Sequence, residues 1–222
     1  LAASTTLSGY VSTSWLSLDG TAGDYYADAL SLDRFTLDVV DLKFASAQGA
    51  GEYATGYTVE LWAGPKASAL GTAATADSDV ELYQANMDLR LPVGNGLDVK
   101  IGQFLTVVGA ETPNFNENAF WMRSLGFGLE PTHHTGILTS YQATDDLSLQ
   151  IGLANDTTSA QTNAKAGSGT AYLLNIGYTL PESLGFLGGT SLTYARVDGA
   201  GTDAAERNNQ FIGASVPLGV EG

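Results

Sequence analysis

The feature that most constrains this chain is a two-residue rhythm held over runs of nine to twelve residues. In LSLQIGLAN, Leu147, Leu149, Ile151 and Leu153 fall on one side, with Ser148, Gln150, Gly152 and Ala154 on the other. GEYATGYTVELWA, LYQANMDLRLPV, LDVKIGQFLTV and AYLLNIGYTL repeat the pattern, with Gln103 a polar exception on an apolar side. A period of two sends successive side chains to opposite faces of a strand. It predicts ten strands, near 5–18, 34–47, 51–63, 79–93, 96–108, 134–143, 147–155, 170–180, 189–197 and 209–218.

Strand length separates a soluble sandwich from a membrane barrel. Soluble strands usually run about five to six residues, whereas a tilted transmembrane strand needs about nine to eleven. The runs here are of the second kind, so the expected fold is all-β: a transmembrane antiparallel up-and-down β-barrel forming one domain over residues 1–222. It is either complete with ten strands or the N-terminal part of a larger barrel. A closed barrel leaves no unpaired edge in hydrocarbon, and lipid takes the place of a protein core. Connections after even-numbered strands are short (AQGAG, VGNG, TDD), with the longer PESLGFLGG an exception, and those after odd-numbered strands are long, so one end carries tight turns and the other long loops.

The polar faces carry opposite charges within single strands: Asp41 with Lys43, Asp88 with Arg90, Asp98 with Lys100. Inside a barrel these would line water. Asp38, Asp41, Lys43, Glu60, Asp88, Arg90, Asp98 and Lys100 are therefore the expected pore-lining residues, and their acidic excess predicts a weak preference for cations. In RFTLDVVDLKF the phase slips at Val39–Val40, so Asp38, Asp41 and Lys43 share a face only if a bulge sits there. Tyr10, Trp15, Phe44, Tyr53, Trp62, Tyr83 and Tyr141 fall near strand ends, where interfacial girdles are expected.

A formal charge of −15 with only nine Lys and Arg excludes nucleic acid as a partner, since phosphate binding needs clustered basic residues. The absence of cysteine excludes disulfides and thiolate metal sites. No window has the 18 apolar residues of a membrane-spanning helix; the opening LAAS resembles the small-residue end of a cleaved export signal. His133 and His134 are adjacent, so an extended backbone points them to opposite faces, unsuited to a shared metal; His134 is expected to satisfy backbone or loop groups. No Gly-x-Ser-x-Gly elbow occurs, and the acidic loops DGTAGDYYADALSLD and TAATADSDVE do not match a calcium loop. The expectation is no catalytic residue, no metal, no cofactor and no enzyme activity.

One connection stands apart. Residues 109–133, within GAETPNFNENAFWMRSLGFGLEPTHHTGI, form the third long loop. Phe115, Phe120, Trp121 and Phe127 offer apolar area for packing on an inner wall, while Glu111, Glu117, Arg123 and Glu130 are expected to face a channel. The surrounding motifs are specific: Gly102, Phe104, Gly109 and Glu111 in a Gly-x-Phe-x-x-x-x-Gly-x-Glu run, then Asn118 and Ser124, then Pro131, His134 and Gly136.

With the start LSGYVSTSW, these motifs resemble the OmpL-like β-barrel porins over roughly the first 155 residues. The resemblance implies a barrel in a bacterial outer membrane, surrounded by lipid or lipopolysaccharide, that passes small hydrophilic solutes and ions by diffusion. By analogy with classical porins, the third long loop would fold inward as a constriction. A homo-oligomer fits this reading. The competing readings are a structural or partner-binding barrel, such as a scaffold or a sheath around an electron carrier, and a secreted soluble β-sandwich that binds carbohydrate.

Overall fold

The computed structural model describes residues 5–15, 17, 33–67, 80–157, 169–200 and 206–217. Most of the loops after the first, third and seventh strands, including most of both acidic loops considered for calcium, lies outside the described residues. Ten strands form one antiparallel sheet in simple chain order: β1 (Thr5–Trp15), β2 (Phe35–Ser46), β3 (Thr55–Ala63), β4 (Val80–Leu91), β5 (Leu97–Leu105), β6 (His133–Gln142), β7 (Leu147–Ala154), β8 (Ala171–Thr179), β9 (Ser191–Ala200) and β10 (Glu206–Ser215). Among the described residues no ladder joins β10 to β1, so the sheet is not closed. The third strand starts later than the alternation predicts because Tyr53, at φ 56°, turns the chain there.

The two faces differ as the alternation requires. On the outer face, register rows run apolar across strands: Leu7 beside Phe44 beside Val59 beside Ala85, and Ile137 beside Leu153 beside Tyr172. Leu7, Val11, Phe35, Met87, Ile101 and Ile151 are exposed there. A sheet that exposes this much apolar side-chain surface across eight strands of one face needs an apolar surrounding. No helix among the described residues is long and apolar enough to cross a membrane.

Two bulges correct the phase. In the β1–β2 ladder Ser12 pairs with Val39 and Thr13 with Leu37, leaving Asp38 as the extra residue. The bulge anticipated at Val39–Val40 sits one residue earlier, and it turns both Asp38 and Val39 into the interior. In the β3–β4 ladder Glu60 pairs with Gln84 and Leu61 with Leu82, so Tyr83 is extra. Simple alternation places Tyr83 with Met87 on the apolar outer face; the bulge instead buries it against Trp62. Gln103, the polar exception on β5, serves this irregularity: its amide donates to the carbonyls of Leu82 (2.6 Å) and Tyr83 (3.2 Å). A bulge frees ladder carbonyls, and a buried carbonyl needs a donor.

The interior is filled by the segment between β5 and β6. Val107 and Val108 join Phe104, Leu138, Leu173, Ala195 and Val197 in one apolar cluster, while Phe115 and Phe127 pack on a second built from Val39, Trp62, Ala67 and Tyr83. The segment touches both edge strands: the Phe115 N–H donates to the Tyr10 hydroxyl of β1 at 3.3 Å, and the Asn209 amide of β10 donates to the Leu129 carbonyl at 3.3 Å. In a flat ten-stranded sheet those edges lie roughly 43 Å apart. The segment is folded on itself, with Arg123 bonded to the carbonyls of Thr112 and Pro113, so it cannot bridge such a span. The sheet therefore curls around it.

Candidate functional site

From β1 to β8 the strand charges lie on the inner face. Lys43 meets Glu60 at 3.3 Å, Lys100 meets Asp88 at 2.9 Å, and Arg90 grips Asp98 through two hydrogen bonds of 2.7 and 2.6 Å. Each of these couples residues directly opposite one another on neighbouring strands. The within-strand couples Asp41–Lys43, Asp88–Arg90 and Asp98–Lys100 are thus replaced by cross-strand ones. Opposite residues stand about 5 Å apart, closer than residues two apart along one strand.

Asp38 is fully buried and accepts from the Ser12 and Ser14 hydroxyls at 3.1 and 2.9 Å. Asp41 is buried, and Glu60, also buried, accepts from the Gln84 amide at 3.1 Å in addition to Lys43. The inner face of β2–β5 holds Asp38, Asp41, Glu60, Glu81, Asp88 and Asp98 against Lys43, Arg90 and Lys100, an acidic excess. Beyond β5 the same face is neutral from β6 to β9, where Ser140, Gln142, Ser148, Gln150 and Asn175 line a polar recess with Arg90 and Asp98, and Arg207 on β10 brings one inward charge back. Asn175 also ties the loop segment down, donating to the Val107 carbonyl at 3.0 Å.

The loop's own residues divide differently from the expectation. Phe115 lies 6.3 Å from Trp62 and 6.1 Å from Trp121, and Phe127 packs on the same cluster, but Phe120 is 78% exposed and contributes no packing there. The four charged residues serve the loop itself as well as any channel. Arg123 donates to the carbonyls of Thr112, Pro113 and Trp121 and lies 4.7 Å over the Phe115 ring. Glu111 accepts from the Ser124 backbone N–H and hydroxyl, and Glu117 accepts from the Thr112 hydroxyl and the Asn114 amide. Glu130 lies against Gly109, at φ 94°, where a Cβ would collide with its carboxylate; partial burial first and Glu111 second hold its pKa above the usual carboxyl range. Irregular backbone needs such internal donors and acceptors because no ladder supplies them.

Several residues escape a sequence reading. Lys66, directly after β3, is buried with its ammonium 4.3 Å over the Trp121 ring, fastening the loop to the wall. Tyr10, Trp62 and Tyr83, expected in an outer girdle, are interior: Tyr10 bonds Phe115, and Trp62 and Tyr83 stack. Parity signals the first two, since Tyr10 shares a side with Ser12 and Ser14, and Trp62 with Glu60. Trp15 and Tyr53 remain exposed, and Trp15 packs edge-on to Phe35 at the long-loop end. His133 meets Tyr83 edge-on at 4.7 Å, whereas His134 bonds the Thr106 hydroxyl at 3.0 Å and the Asp156 carbonyl at 3.3 Å.

The motif residues Phe104, Gly109, Glu111, Asn118, Ser124 and His134 build and seat the loop, while Gly102 serves the β4–β5 ladder. Asn118 accepts from the Thr112 N–H at 2.9 Å and donates to the Thr112 carbonyl at 2.9 Å. Gly102, at φ 127°, leaves no room for a Cβ beside the Ala85 carbonyl. No curated protein and no solved structure matches the chain. A family profile does, over residues 4–215, well beyond the stretch on which the motifs lie, and such a family implies an outer-membrane β-barrel. With its ten-stranded up-and-down sheet and the loop seated on the inner face, the chain belongs to the family described as "Putative beta-barrel porin-2, OmpL-like".

Proposed function

We propose that this protein is an outer-membrane porin through which small hydrophilic solutes and ions diffuse passively, with a weak preference for cations. The observation that carries the reading is the division of charge between the faces. Three cross-strand ion pairs and an acidic excess share the inner face with the folded-in loop, while the outer face of β1–β8 bears no charged residue among those described. Segment 109–133 is the constriction, its position fixed by Arg123 and Lys66 and its polar edge by Glu111, Glu117 and Glu130. No reaction chemistry, metal or cofactor belongs to this reading.

Planar-bilayer recordings test it. A reversal potential of cation-selective sign across a salt gradient is expected, and deletion of residues 114–128 should raise single-channel conductance. Anion selectivity would overturn the charge assignment. An absence of conductance would favour a second reading, a structural or partner-binding barrel, which the interior filled by residues 106–132 supports.

A further inference from the structure

The outer face is free of charge over eight strands and then stops being so. On β9 and β10, Arg196, Asp198 and Glu206 point outward together with Asn208 and Gln210, and they are the charged residues of the whole outer face among the described residues. The register fixes this: Arg196 pairs with Leu174 and Gln210, and Asp198 with Tyr172 and Asn208, all outward positions.

Height makes the strip informative. Arg196 lies five residues from Ser191 at the short-turn end of β9. At about 2.5 Å of height per residue in a tilted strand this is about 13 Å, near the middle of an apolar band about 25 Å tall. The other strands keep Leu, Ile and aromatic residues at such heights: Leu174 on β8 and Ile151 on β7. An arginine in mid-hydrocarbon is costly. Arg196 pairs with Asp198 at 2.9 Å, but its Nε is shielded from water and has no acceptor among the described residues. Directly below, Ile176, Tyr178, Leu192, Tyr194, Ile212 and Ala214 line an apolar groove, joined to the strip where the Tyr194 hydroxyl reaches Gln210 at 3.4 Å.

We propose that this face of β9–β10 is an interface with a second copy of the same chain. The patch complements itself: a two-fold axis along the membrane normal keeps each residue at its height, so Arg196 reaches the acidic Asp198 of the partner subunit, two residues higher, and amide Asn208 and Gln210 meet their own kind. The apolar groove below supplies the greasy part of the contact. The proposal rests on the membrane-barrel reading, not on conductance.

The chain has no cysteine, so a single one reports cleanly. The full chain carrying Gln210→Cys, reconstituted alone in lipid bilayers, is expected to cross-link on oxidation to a species of twice the chain mass; Ile101→Cys, on the apolar face of β5, is expected not to. If Gln210→Cys does not fold, Asn208→Cys takes its place on the same face. Arg196→Glu and Asp198→Arg should each lower the cross-linked fraction by about tenfold, and mixing the two variants should restore it, a recovery that a merely structural role would not give. A spin label at 210 separates the failures. Label contact with oxygen in the lipid, or with an aqueous quencher, in bilayers without cross-linking overturns the interface. A water-exposed label at 101 overturns the membrane-barrel reading as well.

Discussion

Trp62 and Tyr83 lie ring on ring across neighbouring strands, their centroids 4.1 Å apart and their planes 9° from parallel, both sealed from solvent. The pair exists because β4 is bulged at Tyr83. It forms the platform on which Phe115 and the loop rest.

Removing either ring should be expensive. Trp62→Ala and Tyr83→Ala are each expected to cost about 3–5 kcal/mol, the range for deleting a buried aromatic, measured by denaturant unfolding in lipid vesicles. Tyr83→Phe should behave differently, because the Tyr83 hydroxyl is buried with no hydrogen-bond partner among the described residues. It is expected to be neutral or slightly stabilising.

Gln103 holds the bulge through the carbonyls of Leu82 and Tyr83. Gln103→Ala should cost about 1–3 kcal/mol by leaving buried acceptors unpaired. Gln103→Glu should cost at least as much, since a carboxylate cannot donate. Tryptophan fluorescence reporting on Trp62, together with the unfolding midpoint, reads both.

Arg123 serves three loop carbonyls at once. Arg123→Ala is expected to loosen the loop, raising conductance noise and exposing residues 114–128 to protease. Arg123→Lys should rescue little, because a single ammonium lacks the planar fork that reaches three carbonyls on different bearings. Full recovery by lysine would show that charge alone positions the loop.

Glu130 gives the loop a pH dependence. Partial burial, then the neighbouring Glu111, raise its pKa in the folded protein, so the folded state holds this proton more tightly than the unfolded chain does. Its contribution to stability is complete below the ordinary glutamate range, near pH 4, and is lost as pH rises through the raised value. Glu130→Gln is therefore expected to be more stable than the parent at neutral pH and to show a flatter profile of unfolding midpoint against pH. The effect is modest, since the group is partly exposed.

Much of the interior was legible because strand parity is a local property. Lys43, Glu60, Asp88, Arg90, Asp98 and Lys100 reach one face by alternation alone, and Trp62 follows Glu60 there although its place near a strand end suggests a girdle. Who pairs with whom was not legible: Asp88 joins Lys100 and not Arg90 because the β4–β5 register sets them opposite, and register depends on turns and bulges far from either residue. Likewise the carboxylates of Glu111 and Glu117 read as free charges, yet their partners Ser124, Thr112 and Asn114 are found only once the loop has folded back on itself.

The chain by itself determines ten long strands, most of them with one apolar and one polar face, since a two-residue rhythm needs no distant partner to express it. Only the tertiary structure decides the bulges at Asp38 and Tyr83, the cross-strand ion pairs and the seat of the inward loop. These require two strands, or a strand and a loop, to arrive at the same place, and a one-residue slip in register moves a side chain from water to lipid.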